Sequence, residues 1–366
     1  MLISIDQRTP KCSHAGSKAR EDASVILGEL GATTRNMECS YSEAFADIAH
    51  DLFAMNYELM RIAKECKSGD IAVLQFPYRC FLSFAGNQFV DKLHNRGAKS
   101  VLLIHDLDSL RRDKALERFG QFTLSELLHC DITFLRQFDW VISHNNRMSE
   151  YLMSMGYPES RIIDLNLFDY LSVIHERTYE NVPRNVSFAG NLSPEKSGFI
   201  YDLSSLDLSK DISIHLFGNG YVGNINDCWV SHGAVNPDEL PDALPSGFGL
   251  VWDGPSALTC TGVYGDYLRF NNPHKLSLYY ASGLIPIVWS KSAAASFIKE
   301  TNSGYCIDSL SDLSSLIESC SISEYESKMS NARVIQDKVT KGYYLKRAIN
   351  EVIARNQCIS SIDGEC

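Results

Sequence analysis

Aromatic, amide and charged residues crowd the stretch from Trp252 to Lys275, which ends in the run Arg269-Phe270-Asn271-Asn272-Pro273-His274-Lys275. Asn272-Pro273 marks a helix start, so Pro273 is expected in the first turn with His274 and Lys275 near the N-terminus. Two cations there oppose the helix dipole, and a bound phosphate is the economical explanation. A second loop with phosphate chemistry is Gly190–Ser197, GNLSPEKS, where a glycine turn precedes Lys196 and a helix. It has neither the Gly-Lys-Ser/Thr ending of a P-loop nor the Gly-x-Gly-x-x-Gly of a dinucleotide fold. Cys12–Lys18, CSHAGSK, lies between a strand and a helix, and its Gly16 permits close backbone approach of an anion or a sugar hydroxyl. His105 and Asp106 end an apolar run and are placed for acid–base work. Their ordinary alternatives are a histidine bonded to a loop carbonyl and an aspartate capping the next helix. Phe217-Gly218-Asn219-Gly220 is a tight turn that fits a plain loop equally well.

These loops need strands before them and helices after them, and the sequence supplies both. Met1–Ile5, Ile71–Phe76, Ser100–Ile104 and Trp140–Ser143 read as strands, separated by helical patterns over Lys18–Leu30, Ile48–Cys66, Phe84–Arg96, Leu124–Phe138 and Met148–Met155. The rhythm then restarts. Asn185–Ala189, Ile212–Phe217, Phe248–Trp252 and Ile285–Trp289 read as strands, with helices over Lys275–Ala281, Ala293–Lys299, Leu310–Cys320 and a long final stretch, Ser323–Arg355. The tail Asn356–Cys366 is polar and expected to fray. Alternation of this kind means right-handed βαβ units and parallel sheets. The fold class is α/β with two Rossmann-like domains facing a cleft, the break between them falling near Asp169–Arg184. In such sheets ligands sit beyond the carboxyl ends of the strands, where the loops above lie.

The 366 residues give a prior of about two domains. With 34 Lys and Arg against 45 Asp and Glu the net charge is −11, which disfavours general nucleic-acid binding. The 11 cysteines are scattered without a Cys-x-x-Cys pair, so neither a zinc site nor a disulfide framework is expected, and reduced cysteines fit a cytosolic chain. The N-terminus turns polar after five residues, unlike a signal peptide, and no apolar run approaches the ~18 residues of a membrane span.

The stretch FGLVWDG…TCTGVYGDYLRFNNPHKLSLYYASG resembles the signature of a bacterial GT-B glycosyltransferase family. That family includes β-1,6-galactofuranosyltransferases of O-antigen assembly and glucosyltransferases that extend N-acetylglucosamine on serine-rich adhesins. HAGSKARED, LIHDLDSLR, WVISHNNRMSEYL, NLFDYL and FAGNLSPEKSGFIY match as well, so the resemblance runs from about residue 14 to about residue 350. It implies an acceptor domain over residues 1–170, a nucleotide-sugar domain over 171–335 and, over 336–366, a helix crossing back to the first domain followed by the tail. Carried over by position, Lys196 and Lys275 would neutralise the UDP diphosphate, Asn271, Asn272 and His274 would line the same pocket, and Gly16 would close over the donor phosphates. The loop around Gly233–Leu240 would approach uracil and ribose. Asp253 and Asp266 would meet a sugar hydroxyl. Catalysis would then rest on stabilising a departing diphosphate, with no metal and no cofactor, UDP-sugar being a substrate. Asp106-Leu107-Asp108 is formally Asp-x-Asp, but it lies in the acceptor half. The paired glutamates of better-known retaining relatives are replaced by Phe270 and Leu278, so the ribose contact must differ. An inverting reaction would need a general base, for which Asp106 stands first, His105 second and Asp266 third.

The reading is therefore a hexosyltransferase, moving galactofuranose from UDP onto a glycan of surface polysaccharide (O-antigen). Its alternatives are a UDP-glucose-dependent enzyme acting on a glycoprotein and a non-catalytic nucleotide-sugar binder. An oxidoreductase lacks its glycine fingerprint. The partners implied are a UDP-sugar and a glycan acceptor, lipid-linked or not, and no nucleic acid; self-association is left open. A cytoplasmic location follows, with a peripheral seat at the inner membrane face as an option. The basic stretch Lys338–Arg355 reads first as a helix for domain packing.

Overall fold

The computed structural model describes all residues except 9–14, 39–44, 79–82, 112–132, 175, 204–205, 207, 224–228 and 364–366. The chain divides into two compact units, one of Met1–Cys12, Arg20–Leu165 and Tyr344–Cys366, the other of Ser13–Ala19 and Asn166–Tyr343.

The first unit is built on six parallel strands, β1 Leu2–Arg8, β2 Thr33–Glu38, β3 Ile71–Phe76, β4 Lys99–Ile104, β5 Trp140–Ser143 and β6 Ile162–Asp164, in the order β2-β1-β3-β4-β5-β6. β3 is buried at every position, and its run, apolar except for Gln75, marks a strand covered on both faces. The helices Ala15–Glu29, Phe45–Glu65, Ser83–His94 and Asn146–Ser154 alternate with these strands. Asn145 starts the last of these by accepting the Met148 N–H at 3.1 Å. The final helix, Tyr343–Asp363, belongs here too: Arg347 donates to the carbonyls of Asp164 and Leu165, and Lys346 pairs with Glu29 at 2.7 Å.

The second unit has its own six parallel strands, β7 Asn185–Ala189, β8 Ser213–Phe217, β9 Trp229–Gly233, β10 Phe248–Val251, β11 Ile285–Trp289 and β12 Tyr305–Ile307, ordered β12-β11-β10-β7-β8-β9. From β7 the chain winds outward through β8 and β9, then returns to the other side of β7 for β10, β11 and β12. The sheet order thus reverses between β7 and β10, and in open α/β sheets that is where a crevice opens at the strands' carboxyl ends. The helix His274–Ala281 is laid closely on β10: a Cβ added to Gly249 would stand 2.2 Å from the Tyr279 ring. The Tyr279 hydroxyl donates to the Leu250 carbonyl at 3.0 Å and accepts the Ala189 N–H at 3.0 Å, tying the helix to both strands at the reversal.

Several expectations need correction. The first helix begins at Ala15, so Gly16 stands in its first turn and not in a loop before it. Pro273 has an extended backbone (ψ 134°) and precedes the helix, which starts at His274. Leu310–Cys320 is a short 3-10 turn, Leu310–Asp312, followed by the helix Leu313–Ser319. The long last stretch is two helices, Ile322–Thr340 and Tyr343–Asp363, parted at Gly342, whose φ of +74° only glycine adopts readily. The second of these continues through most of the tail expected to fray. Strands β2, β6, β9 and β12 are additions; β2 and β9 are edge strands with several exposed positions, and β6 and β12 have three residues each, so none offered a buried run to read. The helix expected over Leu124–Phe138 lies mostly outside the described residues.

Candidate functional site

At the reversal in the second sheet three loops converge, after β7 (Gly190, Asn191), after β8 (Gly218 to Gly220) and after β10 (Trp252 to Gly254). Their backbones are close enough that side chains are excluded. A Cβ on Gly218 would lie 1.8 Å from the Gly190 carbonyl oxygen, and one on Gly254 (φ +109°) 2.4 Å from that of Thr261. Lys275, in the first turn of His274–Ala281, reaches into this convergence. Its ammonium donates to the Trp252 carbonyl at 3.0 Å and to Asp253 Oδ1 at 2.9 Å, and lies 4.4 Å from the centre of the Phe188 ring of β7. Both members of the ion pair are nearly buried, at 10% and 8% side-chain exposure. Burial pulls the Lys275 ammonium below the ordinary lysine range, and the adjacent Asp253 carboxylate opposes that pull. Lys196 is half-buried on the neighbouring loop, near enough to be felt by Lys275, with its ammonium 5.4 Å from the Tyr264 ring centre. Its carbonyl accepts the Gly254 N–H at 2.9 Å, joining the two loops.

The helix carries no side-chain cap at Pro273. The Leu276 N–H closes onto the Pro273 carbonyl at 2.9 Å, and the N–H groups of His274 and Lys275, ahead of it, have no partner within the helix. Positive charge and free donors at a helix start make an anion seat. Asp253 shows that the anion argument drawn from two cations needs amendment, since a resident carboxylate already balances one of them. The other is no cation at all. His274 is half-buried and packs on Tyr170, the rings stacked 4.9 Å apart, and desolvation pulls its pKa down to about 4. Its Nε2 meets the Asp169 carbonyl at 3.3 Å, which requires the proton on Nε2 and leaves Nδ1 as an acceptor.

The remaining expected residues fall in different places. Asn272 is buried and donates to the Asn166 carbonyl at 2.7 Å, a contact that shapes the backbone. Asn271 buries its Oδ1 without a hydrogen-bond donor. Asp266 is exposed and only loosely paired with Arg269 at 3.7 Å. Gly16 is exposed, while Lys18, two residues further on, is buried in the second unit. The Lys18 ammonium pairs with Asp238 at 2.8 Å, donates to the Leu171 carbonyl at 3.0 Å and lies 5.2 Å from the Tyr170 ring centre. The loop around Gly233–Leu240 is thereby joined to the His274 side of the site. Sequence reading missed Lys18 and Tyr279 as organisers of this region; a buried lysine gives no signal until its carboxylate partner, 220 positions on, is known.

In the first unit His105 and Asp106 follow β4. Gln75 donates through its amide nitrogen to Ser24 Oγ at 2.9 Å and to the Arg20 carbonyl at 3.4 Å, so its Oε1 accepts from His105 Nε2 at 2.7 Å. The His105 lone pair then resides on Nδ1. Asp106 pairs with Arg111 at 3.2 Å and is partly exposed. Beneath them lies His144, 1% exposed, hydrogen-bonded to the backbone of Ile104 and His105 and drawn by burial to a pKa of about 4. The side chain of Asp108 lies outside the described residues. Among the described residues no three His, Cys, Asp or Glu groups cluster to hold a metal, and no helix is long and apolar enough to cross a membrane.

Comparison with known proteins adds the family. Models of the glucosyltransferase 3-like N-terminal and C-terminal domains match residues 5–167 and 186–352. The β-1,6-galactofuranosyltransferase WbbI of Escherichia coli K12 is 37% identical over 93% of this chain and 94% of its own. Glucosyltransferase 3 of Streptococcus gordonii is 25% identical over 92% and 93%. Among solved structures, the Anabaena protein HepE in complex with UDP superimposes with a TM-score of 0.55 at 13% identity, covering all of both chains. An α-glucosyltransferase bound to UDP and DNA gives 0.61 at 14%, covering 97% of this chain and 99% of that one. These likenesses establish the GT-B fold.

Proposed function

The chain belongs to the glucosyltransferase 3-like family and is a glycosyltransferase, and from that premise we propose that it moves a hexosyl group from UDP to a glycan acceptor. The observation that carries the donor assignment is Lys275, fixed by Asp253 and Trp252 at the sheet reversal and at the head of an uncapped helix. As the glycosidic bond to UDP breaks, negative charge grows on the β-phosphate. Fixed positive groups already oriented toward that charge lower the barrier without reorganising. Lys275, Lys196 and the first N–H groups of His274–Ala281 are such groups. Asp253 keeps Lys275 protonated in a buried setting and holds it on its bearing. The second unit is thus the donor side.

The first unit is assigned the acceptor. Asp106, following β4 and partly exposed, is the base that takes the acceptor hydroxyl's proton. Arg111 holds its carboxylate, and His105, locked by Gln75 with its lone pair on Nδ1, is the second candidate. No cofactor or metal is assigned to the reaction. The relative WbbI, a β-1,6-galactofuranosyltransferase, favours galactofuranose as the transferred group, and the streptococcal relatives favour glucose; the destination we propose is a surface polysaccharide. A panel of UDP-sugars, UDP-galactofuranose and UDP-glucose included, incubated with glycan acceptors and read by product mass tests the proposal. Mass gain of one hexose with UDP release is expected. Failure of every UDP-sugar, with transfer from another activated sugar, would overturn it.

A further inference from the structure

The run Asn271–Lys275 looks in sequence like a uniform phosphate grip, yet its atoms divide into two kinds. Lys275 and the uncapped helix start offer donors, suited to an anion. Asn271 and His274, three residues apart, offer acceptors. The Asn271 Oδ1 is buried with no donor against it. So is His274 Nδ1, because Nε2 is committed to the Asp169 carbonyl. Neither atom can bind a phosphate, since an oxyanion brings acceptors only and would be repelled by both lone pairs. A buried acceptor without a donor costs free energy unless a ligand supplies one. The ring of His274 cannot turn to exchange its nitrogens without losing both the Asp169 contact and its stack on Tyr170, 4.9 Å away. Burial also keeps the ring neutral, so Nδ1 remains an acceptor at neutral pH.

Resting on the donor site proposed above, we propose that His274 Nδ1 and Asn271 Oδ1 receive hydrogen bonds from hydroxyls of the donor, making these two residues readers of a hydroxylated ring beside the phosphate seat. They determine specificity and carry no phosphate charge. The hydroxyls belong to the ribose of UDP or to the transferred sugar, chemistry shared by both.

Titration calorimetry on the full chain separates these outcomes. The ligands are UDP, its 2′-deoxy and 3′-deoxy forms, UDP-glucose and inorganic pyrophosphate. The proteins are the parent, His274→Phe, which keeps the aromatic stack without an acceptor, His274→Asn, which places an amide oxygen near Nδ1, and Asn271→Ala. If the ribose is read, the parent binds a deoxy form about tenfold more weakly than UDP, and His274→Phe binds the two alike. If the sugar is read, the parent gains affinity from UDP to UDP-glucose and His274→Phe loses that gain while keeping UDP. In either case pyrophosphate affinity changes less than twofold in all variants, and His274→Asn retains part of the discrimination. Equal loss across every ligand including pyrophosphate, or unchanged discrimination in both His274→Phe and Asn271→Ala, overturns the inference. Binding of UDP that shows neither kind of discrimination in the parent overturns it too and leaves the donor site standing. No binding of any uridine ligand by the parent brings down the donor site itself.

Discussion

Lys275→Met is the most informative perturbation of the donor side. The methionine keeps the length of the side chain and removes the ammonium. Asp253, 8% exposed, then loses the partner 2.9 Å away that made its burial tolerable. Breaking a buried pair from one side costs about 3–5 kcal/mol, most of it the uncompensated charge. For a unit of this size that lowers the melting temperature by roughly 10 °C. Adding Asp253→Asn removes the stranded charge, so the double variant should recover at least about 2 kcal/mol over Lys275→Met alone. The remaining deficit is the lost bond to the Trp252 carbonyl, about 1 kcal/mol. Activity should behave oppositely. Removing a fixed cation from a developing diphosphate costs roughly 100- to 1000-fold in turnover, and the double variant regains none of it. Thermal and urea unfolding followed by circular dichroism, alongside UDP release, supply both axes. A double variant no more stable than the single, or one that turns over near the parent rate, would refute the reasoning.

Other consequences are checked more simply. His144 is held near pKa 4 by burial against an ordinary 6.5, so the native first unit excludes a proton that the unfolded chain binds. Its contribution is fully present above pH 6.5, declines as pH falls toward 4, and amounts to about 3 kcal/mol; urea midpoints measured from pH 7.5 to 4.5 should fall, and His144→Asn should flatten that slope. Gly249→Ala drives a Cβ into the Tyr279 ring and lifts the helix start from the sheet, costing about 1–3 kcal/mol and weakening UDP binding measured by calorimetry. Asp106→Asn should lower kcat by roughly 100- to 10,000-fold with UDP affinity unchanged, read by steady-state kinetics and calorimetry together.

The parts of the fold legible in sequence were those where one physical signal dominates. IAVLQF and IPIVW are buried at every position, and their apolar runs, broken only by Gln75, named them as strands. TTRNME, with one buried side chain at Met37, carries no such signal and becomes a strand only through its pairing with β1. The same contrast governs the site. The clustering of Asn271 to Lys275 could be read from residue type, and so could the glycine loops. The neutrality of His274 could not, because it arises from Tyr170 and the Asp169 carbonyl more than a hundred residues away. Nor could the pairing of Lys275 with Asp253, which converts an expected surplus of charge into a held ion pair.

A crystal structure with UDP is the most direct test of the donor site. The diphosphate should lie at the N-terminus of His274–Ala281, within hydrogen-bonding reach of Lys275 or Lys196 and beside the Gly190 and Gly254 loops. UDP bound elsewhere, with that helix start holding only water, would contradict the account.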